Sequence, residues 1–176
     1  MTNTADATPL RPFWLALAAA MVAFHLGLIF WGLVPNLVSR PLHLAFVLPW
    51  VFVYGAKSRV QSVSGLILAA LGVSAALWIA LNHNKLGDQY GFLENNFQLG
   101  IAVVLLVCVI EAARRAIGWP LPLVATLALA YALLGQYIPG EFGHAGLPMA
   151  SFLGTMTIAE GGIWGSLTAV SVAGLT

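Results

Sequence analysis

Long apolar runs separated by short polar stretches dominate the pattern of this chain. A transmembrane helix needs about 20 apolar residues to cross a hydrocarbon core of about 30 Å, and several runs reach or approach that length. The pattern predicts five spanning helices, at residues 13–34, 41–56, 63–81, 97–117 and 120–138. The second is short, and Pro41 is expected at its first helical position, where proline is favoured. A sixth apolar stretch, residues 149–176, is interrupted by Glu160, Gly161 and Gly162.

The runs favour helices over strands. Their apolar residues are continuous, whereas the strands of a transmembrane barrel alternate, and in lipid a helix satisfies its backbone amides within one segment. We therefore predict an all-α integral membrane fold, in which a four-helix membrane bundle over residues 13–117 precedes a fifth helix and a broken sixth segment. Residues 1–12 are predicted to form a cytoplasmic tail, and residues 118–176 the incomplete start of a second region. Small residues on the third helix are expected to permit close packing: Gly65, Ala69, Ala70, Gly72, Ser74 and Ala76.

Composition supports the membrane class and excludes others. Of the 176 residues, 60% are hydrophobic and only 7% are charged, whereas a soluble domain carries about 25% charged residues. A net charge of +1 gives no basis for a nucleic-acid partner. The one cysteine, Cys108, excludes an intramolecular disulfide and a cysteine metal cluster. No catalytic or phosphate-binding motif is present, so we expect neither an enzyme nor a metal site.

The distribution of lysine and arginine predicts the orientation, since cytoplasmic loops carry an excess of both. With the N-terminus inside, the outer segments carry only Arg40 and Lys85. The inner segments then carry Arg11, Lys57, Arg59, Arg114 and Arg115. A cytoplasmic N-terminus follows. The first apolar run is also too long for a signal peptide, and we interpret it as a retained helix.

The four histidines raise the possibility of a haem. Two histidine ligands must lie at matching depth on facing helices. His25 is predicted near the middle of the first helix, while His43, His83 and His144 are predicted near the outer surface. We therefore expect His25 to have no partner at its level and to be a satisfied polar residue inside the bundle. His43 is interpreted as a helix-start residue that is hydrogen-bonded at the interface, with a contact to a partner protein or a substrate outside as the alternative.

Glu111, Arg114 and Arg115 form the densest charge in any predicted helix. Their spacings of three and four residues place them on one helix face. We predict an ion pair that anchors the helix end, with both arginines extending to the cytoplasmic headgroups. A proton relay is the alternative, and it would require Glu111 to lie deeper in the membrane.

The interruption at Glu160, Gly161 and Gly162 has two interpretations that stay open. Glycine-interrupted hydrophobic segments mark the broken helices that line transporter sites. The same residues could instead join two short interfacial pieces at a turn.

Five segments, taken in order, resemble one family of membrane proteins. They are Arg40 to Phe46 (RPLHLAF), Asn82 to Leu86 (NHNKL), Glu111 to Trp119 (EAARRAIGW), Tyr131 to Gly140 (YALLGQYIPG) and Glu160 to Gly165 (EGGIWG). Their order and spacing are similar to the N-terminal part of the fused permeases of TRAP transporters, in the variant that works with TAXI-type substrate-binding proteins. The resemblance begins near residue 20, and residues 166–176 follow the family only loosely.

The resemblance implies a transport function. In that family a four-helix small-subunit region braces a much larger transport region, and a sodium gradient drives uptake of an organic anion, commonly a carboxylate. A periplasmic binding protein delivers the solute to the bacterial cytoplasmic membrane. The expected partners are therefore a large permease subunit or region, that binding protein and the lipid bilayer. The predicted boundary after residue 117 matches the junction between the small and large regions.

This sequence departs from the family in its length, since the family's sodium and substrate sites lie beyond the position of Thr176. We expect either a separately encoded small subunit or a truncated fusion, and no sodium or substrate site is placed on these residues. Two other functions stay open. The histidines would serve a membrane-anchored haem or quinone redox subunit, and His25 with Glu160 would serve a small stand-alone transporter or channel.

Overall fold

The computed structural model describes residues 12–32 and 34–165, with the backbone but not the side chain of Trp31. These residues form seven α-helices and no strand: α1 Pro12–Trp31, α2 Asn36–Pro49, α3 Arg59–Leu81, α4 His83–Asp88, α5 Asn96–Ile117, α6 Pro120–Leu134 and α7 Met149–Thr157. A π-helical turn lies at Trp50–Tyr54, and 3₁₀ turns lie at Gly135–Tyr137 and Gly162–Trp164. The predicted tail, apart from Pro12, and the final residues 166–176 lie outside the described residues.

Five helical segments are long and apolar enough to cross a membrane, which confirms the predicted spans by length and composition. They are Pro12–Phe30, Asn36–Tyr54, Arg59–Leu81, Asn96–Ile117 and Pro120–Tyr137. The short helix α4 was not predicted, because its polar sequence reads as a loop. It lies in the connection between α3 and α5.

The second helix begins five residues earlier than predicted. Pro35 has extended backbone angles (φ −54°, ψ 145°) and precedes the first helical residue, Asn36. Pro41 lies inside α2 and is fully buried, so the prediction that it opens the helix is wrong. An interior proline removes one helical hydrogen bond, a loss that packed helices in a membrane tolerate.

A second proline changes the course of the same helix. Pro49 ends the regular part of α2, and the chain continues as a π-helical turn over Trp50–Tyr54. The amide of Gly55 donates to the carbonyl oxygen of Trp50 at 2.9 Å, a spacing of five residues instead of four. The turn directs Phe52 into the bundle, where it is fully buried.

Helices α2, α3 and α5 form the centre of the bundle, because α3 presents small residues to both neighbours. Gly65, Ala69, Gly72 and Ala76 are buried, as predicted, whereas Ala70 and Ser74 are exposed. A Cβ atom added at Gly72 would lie 2.6 Å from Cδ1 of Leu48 and 3.1 Å from Sγ of Cys108. These small residues let the three helices approach closely.

Helices α1 and α6 lie at the periphery. Only 6% of the α1 span and 11% of the α6 span is buried within the chain. Helix α1 packs on α2, and α6 packs on α5. Most of their apolar side chains therefore face outward.

The segment after α6 folds back onto the bundle. Helix α7 packs on α5, and Gly154 lies against the carbonyl oxygen of Gly91, where a side chain would overlap it. Helix α7 ends at Thr157, and the chain turns at Gly162, whose φ of +54° favours glycine. Trp164 then enters the apolar core. Contacts thus cross the boundary predicted at residue 118, which itself stays a prediction.

Candidate functional site

Two histidines meet inside the bundle, between α1 and α2. Nε2 of His25 lies 2.9 Å from Nδ1 of His43, and Nδ1 of His25 lies 2.7 Å from the carbonyl oxygen of Met21. Only 2% of His25 and 7% of His43 is exposed. Within the described residues, this is the one hydrogen bond that joins α1 to another helix.

The neighbours of the pair determine where its protons lie. A carbonyl oxygen can only accept, so Nδ1 of His25 donates to Met21. A neutral His25 then presents a lone pair at Nε2, and Nδ1 of His43 donates to it. The neutral pair therefore has one arrangement of tautomers, inferred from its hydrogen bonds.

The prediction that His25 has no partner at its level is wrong, and so is the interpretation of His43 as a helix-start residue. Both followed from starting the second helix at Pro41. Because α2 begins at Asn36, His43 lies about two helical turns inside the bundle, level with His25. Of the other histidines, His83 lies on α4 and His144 in the connection before α7.

The direct contact does not suit a haem held between the two rings. An iron with two histidine ligands bonds to one nitrogen of each ring, and it would have to stand where the facing nitrogens of His25 and His43 are hydrogen-bonded. In the described ranges, no group of three or more His, Cys, Asp or Glu side chains could hold a metal ion.

Glu111 accepts from both neighbouring arginines at the opposite end of the bundle. Its Oε2 lies 2.6 Å from Nε of Arg114, and its Oε1 lies 2.6 Å from Nη2 of Arg114 and 2.8 Å from Nε of Arg115. The predicted ion pair is therefore present. The guanidinium of Arg114 also lies over the ring of Trp119, 5.2 Å from its centroid.

Arg115 points into the bundle instead of extending outward. Its side chain is 10% exposed. Nη1 donates to the carbonyl oxygens of Phe52 and Gln61 at 3.3 Å and 3.2 Å, and Nη2 donates to Oγ of Ser64 at 3.0 Å. Arg115 thus ties α5 to the π-helical turn and to α3, a role that the local sequence pattern did not indicate.

The segment around Glu160 is held at the other end of the bundle. Nη1 of Arg40 donates to the carbonyl oxygen of Trp164, and Nε1 of Trp164 donates to the carbonyl oxygen of Thr157 at 2.6 Å. Glu160 is exposed, with Oε2 3.5 Å from Nδ2 of Asn36. Within the described residues, α7 ends at Thr157 and a turn follows it, while the rest of the sixth predicted stretch, residues 166–176, lies outside them. The sequence pattern did not indicate the contact between Arg40 and Trp164.

Two grooves flank α5. One, of about 520 Å³, lies between α3 and α5 and is lined mainly by apolar side chains, among them Leu71, Trp78, Phe97 and Val104. The other, of about 350 Å³, lies between α5 and α6 beside Arg114, which shares the carboxylate of Glu111 with Arg115. The apolar groove between α3 and α5 suits hydrocarbon better than an organic anion.

The connection between α3 and α5 carries a further charged contact. Nζ of Lys85 lies 2.7 Å from Oε2 of Glu94, and the hydrogen bond from Lys85 holds the pKa of Glu94 below its usual range. Tyr90 and Phe92 are exposed in the same connection. The side-chain amide of Gln89 is buried in this connection.

Comparison of the chain with known protein families, with curated proteins and with solved structures finds no match.

Proposed function

We propose that the chain is a multi-pass protein of the bacterial cytoplasmic membrane with its N-terminus inside. Five helices of spanning length support this proposal. One end of the bundle carries Lys57, Arg59, Arg114 and Arg115. The opposite end carries Arg40 and Lys85 together with the acidic residues Asp88, Glu94, Glu141 and Glu160. The excess of basic residues at the first end favours its placement in the cytoplasm.

Within that membrane the chain is proposed to be a scaffold, the small-subunit-like part of a TRAP-type transporter. The observation that best supports the scaffold role is that buried polar side chains bond one helix to another. His25 with His43 joins α1 to α2, and Arg115 joins α5 to α3 and to the π-helical turn. These groups hold helices together and are already bonded to protein atoms, as a static support requires.

The transport function rests on the five segments that resemble TRAP permeases. On this proposal a large permease subunit carries an organic anion inward with sodium. A face of the helical bundle contacts that subunit and gives its moving parts a fixed support. The connections 82–96 and 139–148 lie at the proposed outer end, where a periplasmic binding protein of the TAXI type would approach.

Affinity purification tests the scaffold role. The tagged chain, expressed in its native host and extracted in mild detergent, is expected to recover a large membrane subunit or a periplasmic binding protein, identified by mass spectrometry. An unrelated tagged protein with five spanning helices is the control. Recovery of neither partner beyond the control would remove the support for this role.

Two further measurements separate the alternatives. A haem subunit would give a haem absorption band in the purified protein, and a colourless preparation would count against it. A stand-alone transporter or channel would give solute flux in liposomes that contain this chain alone, whereas the scaffold proposal predicts flux no greater than in empty liposomes.

A further inference from the structure

The contact between His25 and His43 has properties that a packing contact between apolar side chains would lack. The two nitrogens face each other at 2.9 Å. Phe24 lies edge-on to His25, with ring centroids 5.2 Å apart, and Phe46 lies 5.6 Å from Phe24. Histidine is the side chain whose ordinary pKa lies closest to physiological pH. Each ring of the pair can therefore exist in a neutral or a cationic form.

We propose that His25 and His43 form an acid-sensitive link between α1 and α2, which a first added proton strengthens and a second breaks. The first proton taken up goes to Nε2 of His43, the more exposed ring of the pair. Its Nδ1 continues to donate to Nε2 of His25, and His25 continues to donate to Met21. No bond is lost, and the shared hydrogen bond becomes charge-assisted and stronger.

A second proton has a different effect, because its only free position is Nε2 of His25. That atom already accepts the hydrogen bond from Nδ1 of His43. With both rings cationic, two N–H groups would face each other without a lone pair between them. The contact must then open, and like-charge repulsion adds to its loss.

The described charged groups on the neighbouring elements do not bond to the histidine pair. Helix α1 has no other titratable residue among those described, and Arg40 of α2 is bonded to Trp164. Arg59 of α3 and Tyr54 of the π-helical turn lie at the opposite end of the bundle. Helix α4 carries His83, Lys85 and Asp88, and the 3₁₀ turn at Gly162–Trp164 carries no titratable side chain. No hydrogen bond or ion pair joins any of these described groups to the pair.

The effect of opening follows from how α1 is attached. Trp14 contacts Trp50 and Tyr54 near the inner end of α1, with ring centroids 5.0 Å and 5.3 Å apart. Among the described residues, the histidine pair forms the one hydrogen bond that joins α1 to another helix. Loss of that bond leaves the inner aromatic contacts and the contact of Phe24 with Phe46 in place, so we expect the part of α1 beyond His25 to move away from the bundle.

Nuclear magnetic resonance of ¹⁵N-histidine-labelled protein in nanodiscs tests the link. At pH 8 we expect a nitrogen–nitrogen coupling across the hydrogen bond between His25 and His43. On acidification the pair is expected to take up two protons in separate steps, with the coupling lost at the second. In His43→Phe, and separately in His25→Phe, the remaining histidine is expected to titrate in one step. His83→Phe and His144→Phe are controls that should leave the coupling unchanged.

Spin labels in the same preparation measure the movement of the part of α1 beyond His25. The native Cys108 is buried, so the labels attach to the introduced cysteines. Labels on Ile29→Cys and Leu81→Cys, both exposed near the outer end, should move apart at the second titration step. Labels on Phe13→Cys and Val60→Cys, at the inner end, should not. The proposal would be overturned if the wild-type protein showed no coupling, or if it titrated in a single step that His43→Phe left unchanged. It would also be overturned if the distance between the labels at positions 29 and 81 did not change with pH.

Discussion

Gly65 of α3 lies directly against the carbonyl oxygen of Phe52, so closely that a Cβ atom at this position would overlap it. The same Cβ would lie 2.9 Å from Nη1 of Arg115. The absence of a side chain at Gly65 thus lets α3 contact the π-helical turn. That contact places Phe52 where Arg115 can donate to its carbonyl oxygen at 3.3 Å.

Replacement of Gly65 by alanine should therefore destabilise the bundle. We expect a loss of about 1–3 kcal/mol in the free energy of unfolding, the usual cost of overpacking a close contact, measured by denaturant titration in detergent. Gly100→Ala is the matched control, because nothing lies within 4 Å of a Cβ at Gly100 in α5. It should stabilise slightly, by up to about 1 kcal/mol. Equal effects of the two substitutions would contradict the close contact.

The two neighbouring arginines should differ in their tolerance of lysine. Arg115→Lys removes the planar fork that reaches Phe52, Gln61 and Ser64, and we expect it to cost about 2–3 kcal/mol of unfolding free energy. Arg114→Lys keeps a charge beside Glu111 at a more exposed position and should cost less than about 1 kcal/mol. The same denaturant titration measures both, and a reversed order would show that Arg115 is not the structural tie.

Sequence reasoning located the apolar helices because continuous nonpolar runs of spanning length have few other structural solutions. It misplaced the start of α2 because Pro41 satisfies the rules for a first helical residue as well as for a tolerated interior proline. That one error moved His43 to the surface and hid its contact with His25. A contact between residues 18 positions apart depends on helix register, which the local pattern does not determine.

The ion pair of Glu111 could be predicted, since residues three and four apart in a helix share a face. The other acceptors of Arg115 could not, because they come from elements more than 50 residues away in sequence. The contact between Arg40 and Trp164 escaped prediction for the same reason. The break at Glu160 was visible in the glycines, but the return of the chain onto the bundle was not.

The connection before α7 should loosen as the pH rises. Nδ1 of His144 lies 2.7 Å from the carbonyl oxygen of Ala145, and Nε2 lies 3.1 Å from that of Tyr131. Only a protonated ring can donate to both, and these bonds, the one to Ala145 first, raise the pKa of His144 above 6.5. Their contribution is complete below about pH 6.5 and is lost as the pH rises through the raised pKa.

Hydrogen exchange measures this loosening. After correction for the intrinsic exchange rate, protection of residues 139–147 should fall between about pH 6 and pH 9, the range around the ordinary histidine pKa and above it. His144→Phe should remove the pH dependence, and His83→Phe should retain it. The same pH dependence in wild type and His144→Phe would contradict the role of this histidine.

Arg40 should hold the segment that follows α7. Arg40→Met removes the donor to the carbonyl oxygen of Trp164, and hydrogen exchange of residues 158–165 should become at least about tenfold faster, since a charged hydrogen bond contributes about 1.5–3 kcal/mol. Arg59→Met, at the exposed start of α3, is the control and should leave that segment unchanged. Unaltered exchange in Arg40→Met would show that Arg40 does not hold this segment.

The placement of the bundle across the membrane is most directly measured by cysteine labelling in intact spheroplasts. A membrane-impermeant maleimide should label Asp88→Cys, at the end of α4, before lysis and should label Lys57→Cys, between the π-helical turn and α3, only after lysis. The native Cys108 is buried and provides the background. Labelling of both positions from the same side would contradict a helical bundle that spans the membrane with its basic end in the cytoplasm.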